Sequence, residues 1–279
     1  MRKLGLIAGG GELPIDLAQY CRSAGRPLFL IRLRGCADQR LAEFPGVETG
    51  LGELGKAIDA LRASGCQAVC LAGTVARPDF RDLKVDARGL AALPGVIKAA
   101  RLGDSGLLSF LLSQFEAEGF AVEGAHQVMA ELCLPRGPLG RLRAEPPQIE
   151  DARRALQAAE QIGRLDIGQA VVSCDGLILA VEAQEGTAEM LRRVATLPQG
   201  IRGQAAARRG VLAKACKPQQ DLRVDLPTIG PDTVRAAAAA GLAGIVGEAG
   251  RLLVIDRQAV AALADELGLF VVGVAGPDP

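Results

Sequence analysis

Short apolar runs alternate with amphipathic stretches along the first half of this chain. Residues 3–8 form the first run, and Gly9-Gly10-Gly11-Glu12-Leu13-Pro14 then opens a helix to about Ala24. Proline is at home there, because the N–H it lacks has no partner in the first helical turn. Pro27 to Leu33 (PLFLIRL) reads as a second strand and Leu54 to Ser64 as an amphipathic helix. Gln67 to Ala72 is a third strand, ending in Gly73-Thr74-Val75. Strands and helices at this spacing predict an α/β, Rossmann-like parallel sheet with helical crossovers. The glycine turn and Gly73-Thr74 then share the edge where open sheets of this kind gather ligands. Residues 79–104, with Pro94 and several glycines, read as irregular. Asp104 is expected to cap a helix from Gly106 to Glu118, and Phe120 to Glu123 reads as a short strand.

Leu134 to Gln148 (LPRGPLGRLRAEPPQ) breaks the pattern with prolines, glycines and arginines, and reads as a linker between residues 1–133 and 149–279. A helix from Ile149 to Gln161 follows. Asp166 to Ser173 and Leu177 to Ala183 are β-rich runs around Cys174-Asp175-Gly176, a hairpin signal. The second run delivers Glu182, then Glu185-Gly186-Thr187, which opens a helix to Ala195. A strand at Val211 to Ala213 and a helix from Pro231 to Ala240 come next. A hairpin-like pair is expected over Gly244 to Val254, then a helix capped by Asp256 and a last strand, Phe270 to Val274. Hairpins among the strands predict a mixed α/β second domain.

Composition narrows the function. The 32 basic and 32 acidic residues balance, and with no Trp, one Tyr and seven Phe there is little to stack on bases. Nucleic acid is therefore not expected as a partner. Seven scattered cysteines in apolar surroundings suit buried free thiols in a reducing, cytoplasmic setting. A single histidine, His126, disfavours a histidine zinc site or a histidine-dependent triad, and a structural role is expected for it. The most apolar segment, Ala236 to Val246, falls short of the roughly 20 residues a bilayer span needs.

The richest chemistry lies in Lys214 to Gly230, KACKPQQDLRVDLPTIG. Lys214, Lys217 and Arg223 stand among Asp221 and Asp225, between an apolar strand and a helix start. Mixed charge at that density suits an anionic ligand that also needs a divalent metal, a diphosphate above all. The alternation Asp-Leu-Arg-Val-Asp-Leu-Pro predicts an extended segment with charges on one face and Leu222, Val224 and Leu226 on the other. Glu182, inside an apolar strand, calls for a metal or a cation. Asp221, Asp225 and Glu182 are the eligible metal ligands or water-activating bases, and Lys214 and Arg223 would neutralise charge. The glycine turn is not G-x-G-x-x-G, since position 14 is proline, and G-K-[ST] is absent. A nicotinamide-dependent oxidoreductase is thereby disfavoured; a non-catalytic nucleotide-sugar sensor is the rival reading.

Leu4 to Pro14, Gly103-Asp-Ser-Gly-Leu-Leu108, Asp166 to Val172, Ala180 to Thr187 and Lys214 to Gly230 together resemble one family. It is the metal-dependent UDP-2,3-diacylglucosamine pyrophosphatases of lipid A biosynthesis, of the LpxI type. The resemblance covers essentially the whole chain. It implies hydrolysis of UDP-2,3-diacylglucosamine to UMP and 2,3-diacylglucosamine 1-phosphate (lipid X) with Mg2+, in a homodimer touching the inner membrane from the cytoplasm. It implies Asp225 as the essential aspartate, and Asp225, Glu182 and Asp104 about the metal. Substrate contacts would come from Gly10, Gly11, Glu12, Leu13, Gly73, Thr74, Asp104, Gln169, Glu185, Gly186, Thr187, Lys217 and Thr228. Where the family usually has Gly-Asp-Asp, this chain has Gly-Asp104-Ser105, which leaves Asp104 as the remaining carboxylate.

Overall fold

The computed structural model describes residues 1–75, 84–100 and 104–275, the side chains of 104 and 105 aside. The chain forms two compact units, Met1–Ala130 with Asp221–Asp225, and Glu131–Gln220 with Leu226–Pro279.

The first unit contains β1 (Leu4–Ala8), α1 (Leu13–Ser23), β2 (Leu28–Leu33), β3 (Gly46–Thr49), α2 (Leu54–Ala63), β4 (Ala68–Ala72), α3 (Ala87–Ala100), α4 (Asp104–Ala117), β5 (Ala121–Val122) and α5 (Ala125–Val128). Its sheet runs β3-β2-β1-β4-β5, and every pairing is parallel. All five residues of β1 are buried, as a central strand covered on both faces requires. Helix α1 turns Ile15, Leu17, Ala18 and Cys21 inward, a spacing that places them on one side of a helix. Ile58 and Leu61 of α2 pack with Ile7, Ile31, Val69, Phe115 and Phe120. Full burial of each such side chain stabilises by about 1.5–3 kcal/mol.

One expectation fails here. Much of the stretch read as irregular is helix α3, which carries Pro94 in its interior. Proline removes one ladder bond and crowds the preceding turn, yet alanines and leucines on either side keep the helix going. It packs against α4, where Phe110 lies so close to Gly95 that a Cβ at that position would stand 2.4 Å from its ring.

The second unit contains β6 (Gly137–Pro138), α6 (Pro146–Arg164), β7 (Ala170–Cys174), β8 (Leu177–Val181), α7 (Gly186–Thr196), β9 (Val211–Lys214), β10 (Thr228–Ile229), α8 (Pro231–Ala239), β11 (Gly244–Glu248), β12 (Leu253–Val254), α9 (Arg257–Leu267) and β13 (Phe270–Val274). The main sheet runs β6-β13-β11-β9-β7-β8. Strands β9, β11 and β13 are parallel, while β6, β7 and β8 each join a neighbour antiparallel. Ala152, Ala155 and Ala159 of α6 let that helix lie close on Val171, Ala213 and Val246. Side chains of α7, α8 and α9 share the other core cluster with Val172 and Leu212.

Asp175 and Gly176 both take left-handed backbone, with φ of 50° and 77°. They close the expected hairpin between β7 and β8. Buried Asp151 fastens it, accepting from Ser173 Oγ at 2.8 Å and from the N–H groups of Asp175 and Gly176 at 2.9 Å each. The second expected hairpin, over Gly244 to Val254, does not form. Strand β11 instead inserts in parallel between β9 and β13, and β12 leaves to pair with β10 in a small sheet of its own. Local turn residues mark where a strand ends, not which strand it joins.

Candidate functional site

In the second unit's sheet, β8, β9 and β11 point the same way and β7 points against them. The ends of β8, β9 and β11 and the start of β7 therefore meet at one edge. Glu182 directly follows β8, Gln169 precedes β7, Lys214 ends β9 and Glu248 ends β11. Lys214 and Glu182 lie two residues beyond Leu212 and Ala180, so they fall on the sheet face that carries α7 and α8.

Lys214 is only 6% exposed, and burial pushes its ammonium pKa down while the charge of Glu182 opposes that shift. Among the described residues its Nζ has one hydrogen-bond acceptor, the Thr228 carbonyl at 3.0 Å. Two N–H groups are left for a ligand. Glu182 is equally buried. Its Oε2 accepts from the Gln169 N–H at 2.9 Å and its Oε1 from Thr187 Oγ1 at 2.6 Å. Gly168 is needed beside it, since a Cβ there would lie 2.2 Å from the Glu182 carbonyl. Lys214, Glu182, Thr187, Gln169 and Thr228, read separately from the sequence, thus belong to one cluster. Glu185 and Lys217 point elsewhere: Glu185 binds Arg193 at 2.6 Å, and Lys217 binds Asp166 at 2.8 Å. Gly186 has a left-handed φ of 79° where α7 begins.

The segment read as extended is a turn. Val224 N and Asp225 N both donate to the Asp221 carbonyl at 3.1 Å. The Asp221 carboxylate accepts from Arg223 N at 3.0 Å and from the Arg223 guanidinium at 2.7–3.2 Å. Aspartate commonly closes such turns on itself. Leu222, Val224 and Leu226 are half-buried. The Arg223 hydrogen bonds hold the Asp221 carboxyl below its usual range. Arg223 also reaches Glu116 at 2.6 Å.

At the first unit's edge, Gly10 and Thr74 exchange backbone hydrogen bonds of 2.8 and 2.9 Å. The glycines serve that clasp. A Cβ on Gly9 would stand 2.6 Å from the Thr74 carbonyl, and one on Gly73 2.6 Å from the Gly10 carbonyl. Gly11 differs, with φ of 89° and open space about its Cβ position. Glu12 is exposed and bound to Arg40 at 2.7 Å, and Leu13 begins α1. Asp104 is the first residue of α4; its side chain lies outside the described residues.

Among the described residues, no three His, Cys, Asp or Glu side chains gather as a metal cage would require. Magnesium needs less, taking one or two carboxylates and completing its octahedron with water and phosphate oxygens. An aspartate such as Asp225 suits that hard cation. Glu182, with both oxygens already accepting hydrogen bonds, is better placed to balance Lys214.

Glu248 was not anticipated from the sequence. It is 6% exposed, and its Oε2 is buried with no hydrogen-bond partner among the described residues, only a long ion pair to Arg251 at 3.9 Å; burial raises its pKa. Its place in Gly-Ile-Val-Gly-Glu248-Ala-Gly read as a turn, which hid it. Glu116, the partner of Arg223, carried no sequence signal.

Comparison with known proteins covers nearly the whole chain. Residues 3–132 match the family model described as LpxI N-terminal domain, and residues 135–272 match LpxI C-terminal domain. A curated relative from Caulobacter vibrioides, UDP-2,3-diacylglucosamine pyrophosphatase LpxI, is 62% identical over 274 residues, 98% of each chain. Among solved structures, CobK precorrin-6A reductase aligns at a TM-score of 0.31 and 16% identity, covering 100% of this chain and 89% of that one. The N5-carboxyaminoimidazole synthase of Aspergillus clavatus aligns at 0.23 and 14%, covering 71% and 45%. At those scores neither bears on the fold or the site.

Proposed function

The chain belongs to the LpxI family, and from that premise we propose that it hydrolyses the pyrophosphate bond of UDP-2,3-diacylglucosamine. The observation that carries this reading is the 62% identity to the Caulobacter pyrophosphatase across 98% of both chains. The products in this reading are UMP and 2,3-diacylglucosamine 1-phosphate, formed by direct attack of water on phosphorus.

The buried edge of the second unit supports the assignment. A diphosphate in its transition state carries charge that must be met by fixed donors in a site poor in water. Lys214 offers two N–H groups from a desolvated ammonium, and the Thr228 carbonyl holds it in place. Glu182 keeps the cation balanced when no ligand is bound, and Thr187 fixes the rotamer of Glu182. A phosphate arriving beside Lys214 then meets a donor that needs no reorganisation. Gln169, Thr228 and the Gly186-Thr187 start of α7 complete the phosphate-facing edge.

Asp225 is assigned the essential carboxylate. With magnesium bound, Asp225, joined by Asp104, would hold a cation that supplies Lewis-acid charge to the phosphate oxygens. Asp221, locked to Arg223, shapes the turn that presents Asp225. Attack by water suits this chain, because burial outweighs the nearby cations and raises the thiol pKa of Cys70 to about 12 and of Cys174 to about 11. A homodimer in peripheral contact with the inner membrane belongs to the same reading. None of the helices searched among the described residues is long and apolar enough to cross a membrane.

The test is UMP release from the purified enzyme and from Asp225→Ala, each with EDTA and with added Mg2+. The variant is expected to lose turnover while still binding substrate, and wild-type turnover is expected to stop in EDTA and return with Mg2+. Turnover of Asp225→Ala at the wild-type rate would overturn the assignment of Asp225. Run in isotopically labelled water, the same assay reports which phosphorus is attacked.

A further inference from the structure

The turn that carries Asp225 is gripped by residues far from it in sequence. Arg223 Nη1 binds Glu116 Oε1 at 2.6 Å across a sequence separation of 107. The same guanidinium holds Asp221 through Nε at 2.9 Å and Nη2 at 2.7 Å. Two edges of one planar fork are thereby bound to two carboxylates, which fixes Arg223 in orientation as well as position. Its backbone is fixed from below. A Cβ on Gly124 would lie 2.9 Å from Arg223 Cα and 2.6 Å from His126 Cε1, so the turn rests directly on the Gly124 backbone. The Val224 and Asp225 N–H groups then close on the Asp221 carbonyl.

We propose that Glu116 is a positioning residue for Asp225: by holding Arg223 over Gly124, it fixes the turn from which Asp225 projects. The inference deepens the reading of Asp225 given above and rests on it. Among the described residues, the Glu116 carboxylate has one hydrogen-bond partner, Arg223, and acts through it. Its ion pair is partly exposed, with side chains 32% and 44% accessible, and exposed pairs contribute little to global stability. The fold does not need it, whereas a carboxylate two residues from Arg223 does, because misplacement of a reacting group by about 1 Å can cost on the order of 100-fold in rate.

The proposal is tested on the full-length enzyme with Glu116→Ala, Glu116→Gln and Gly124→Ala, by steady-state kinetics and by hydrogen exchange of the peptide spanning 221–225. Glu116→Ala is expected to lose roughly 10- to 100-fold in kcat with KM within about two-fold of wild type and an unchanged melting temperature. Glu116→Gln, which can still accept from Arg223 without the charge, falls between. Gly124→Ala, displacing the turn sterically, lowers kcat in the same way. Exchange in 221–225 rises in all three, while exchange in β1 stays at the wild-type level. Wild-type kcat in Glu116→Ala, a change confined to KM, or unchanged exchange in the turn each overturns the proposal. The exchange result does not depend on chemistry. An active Asp225→Ala therefore refutes the role given to Asp225, and a turn that stays protected in Glu116→Ala refutes the anchor.

Discussion

Past the end of β1, Gly10 and Thr74 lock two turns together through backbone hydrogen bonds, and the charges nearby, Glu12, Asp38 and Arg40, pair in the open. Past the ends of β8 and β9, a lysine and a glutamate lie almost wholly out of water. Both edges were expected to face phosphate, yet their energetics differ. Exposed pairs form and break at little cost. A buried ammonium loses hydration that one carbonyl and the charge of Glu182 only partly restore. A folded chain that keeps such a group has a use for it, so the second edge is the stronger candidate for chemistry.

Lys214→Met offers the sharpest test of that contrast. Removing the buried cation is expected to lower kcat by about 10²–10³, the effect of deleting one preorganised donor to a developing charge. The melting temperature should drop with it, because Glu182 stays buried without its counter-charge. Lys214→Met combined with Glu182→Gln removes both charges and should melt at or above wild type while still lacking activity. A double variant that fails to fold would break the comparison, for Lys214 would then be a structural residue. At the first edge the expectation reverses. Gly73→Ala puts a Cβ 2.6 Å from the Gly10 carbonyl at a φ of 94°, and should destabilise by about 2–3 kcal/mol, read from urea denaturation. A neutral substitution would mean that the clasp is not tight.

Much of this contrast was legible before the fold was known. Alternating strands and helices gave the parallel first sheet, because both faces of β1 and β4 need apolar residues and the crossovers need amphipathic ones. Lys214, Glu182 and Thr187 stood out as polar groups at the ends of apolar runs. What stayed hidden depended on distant partners. Pro94 read as a helix stop, since the packing of α3 on α4 that outweighs it has no local trace. Asp221 to Asp225 alternates like a strand but folds as a turn, because the Asp221 side chain finds the Arg223 N–H two residues on. Glu248 looked like part of a turn, and only the insertion of β11 between β9 and β13 makes it buried.

Glu248 is also the lever for pH. Burial raises its pKa above the ordinary 4.5. Between that value and the raised one, the folded chain holds a proton that the unfolded chain has released. Stability must therefore fall as pH rises through the window, and the loss is complete above it. Glu248→Gln carries no such proton. It should melt higher than wild type at neutral pH, by about 1 kcal/mol of added stability, and should flatten the decline seen from pH 4.5 upward. A variant with the wild-type pH profile would show that the carboxylate is solvated well enough to ionise freely, and the second edge would then bury one charged pair and no more.

Arg40→Ala should have the smallest effect, and its smallness is the point. Arg40 bridges well-exposed Glu12 and half-buried Asp38, and its hydrogen bonds hold the two carboxyls below their usual range. Those lowered values would make the trio a stabiliser only above the pH where Asp and Glu ordinarily titrate, and only if water did not substitute for the lost contacts. At such exposure water does substitute, so thermal melts of Arg40→Ala and wild type at pH 7 should superimpose. Turnover should match as well, since the release of Glu12 leaves the Gly10–Thr74 clasp untouched. Impaired turnover with a normal melt would put Glu12 to work on substrate, and the first edge would then join the second as a catalytic surface.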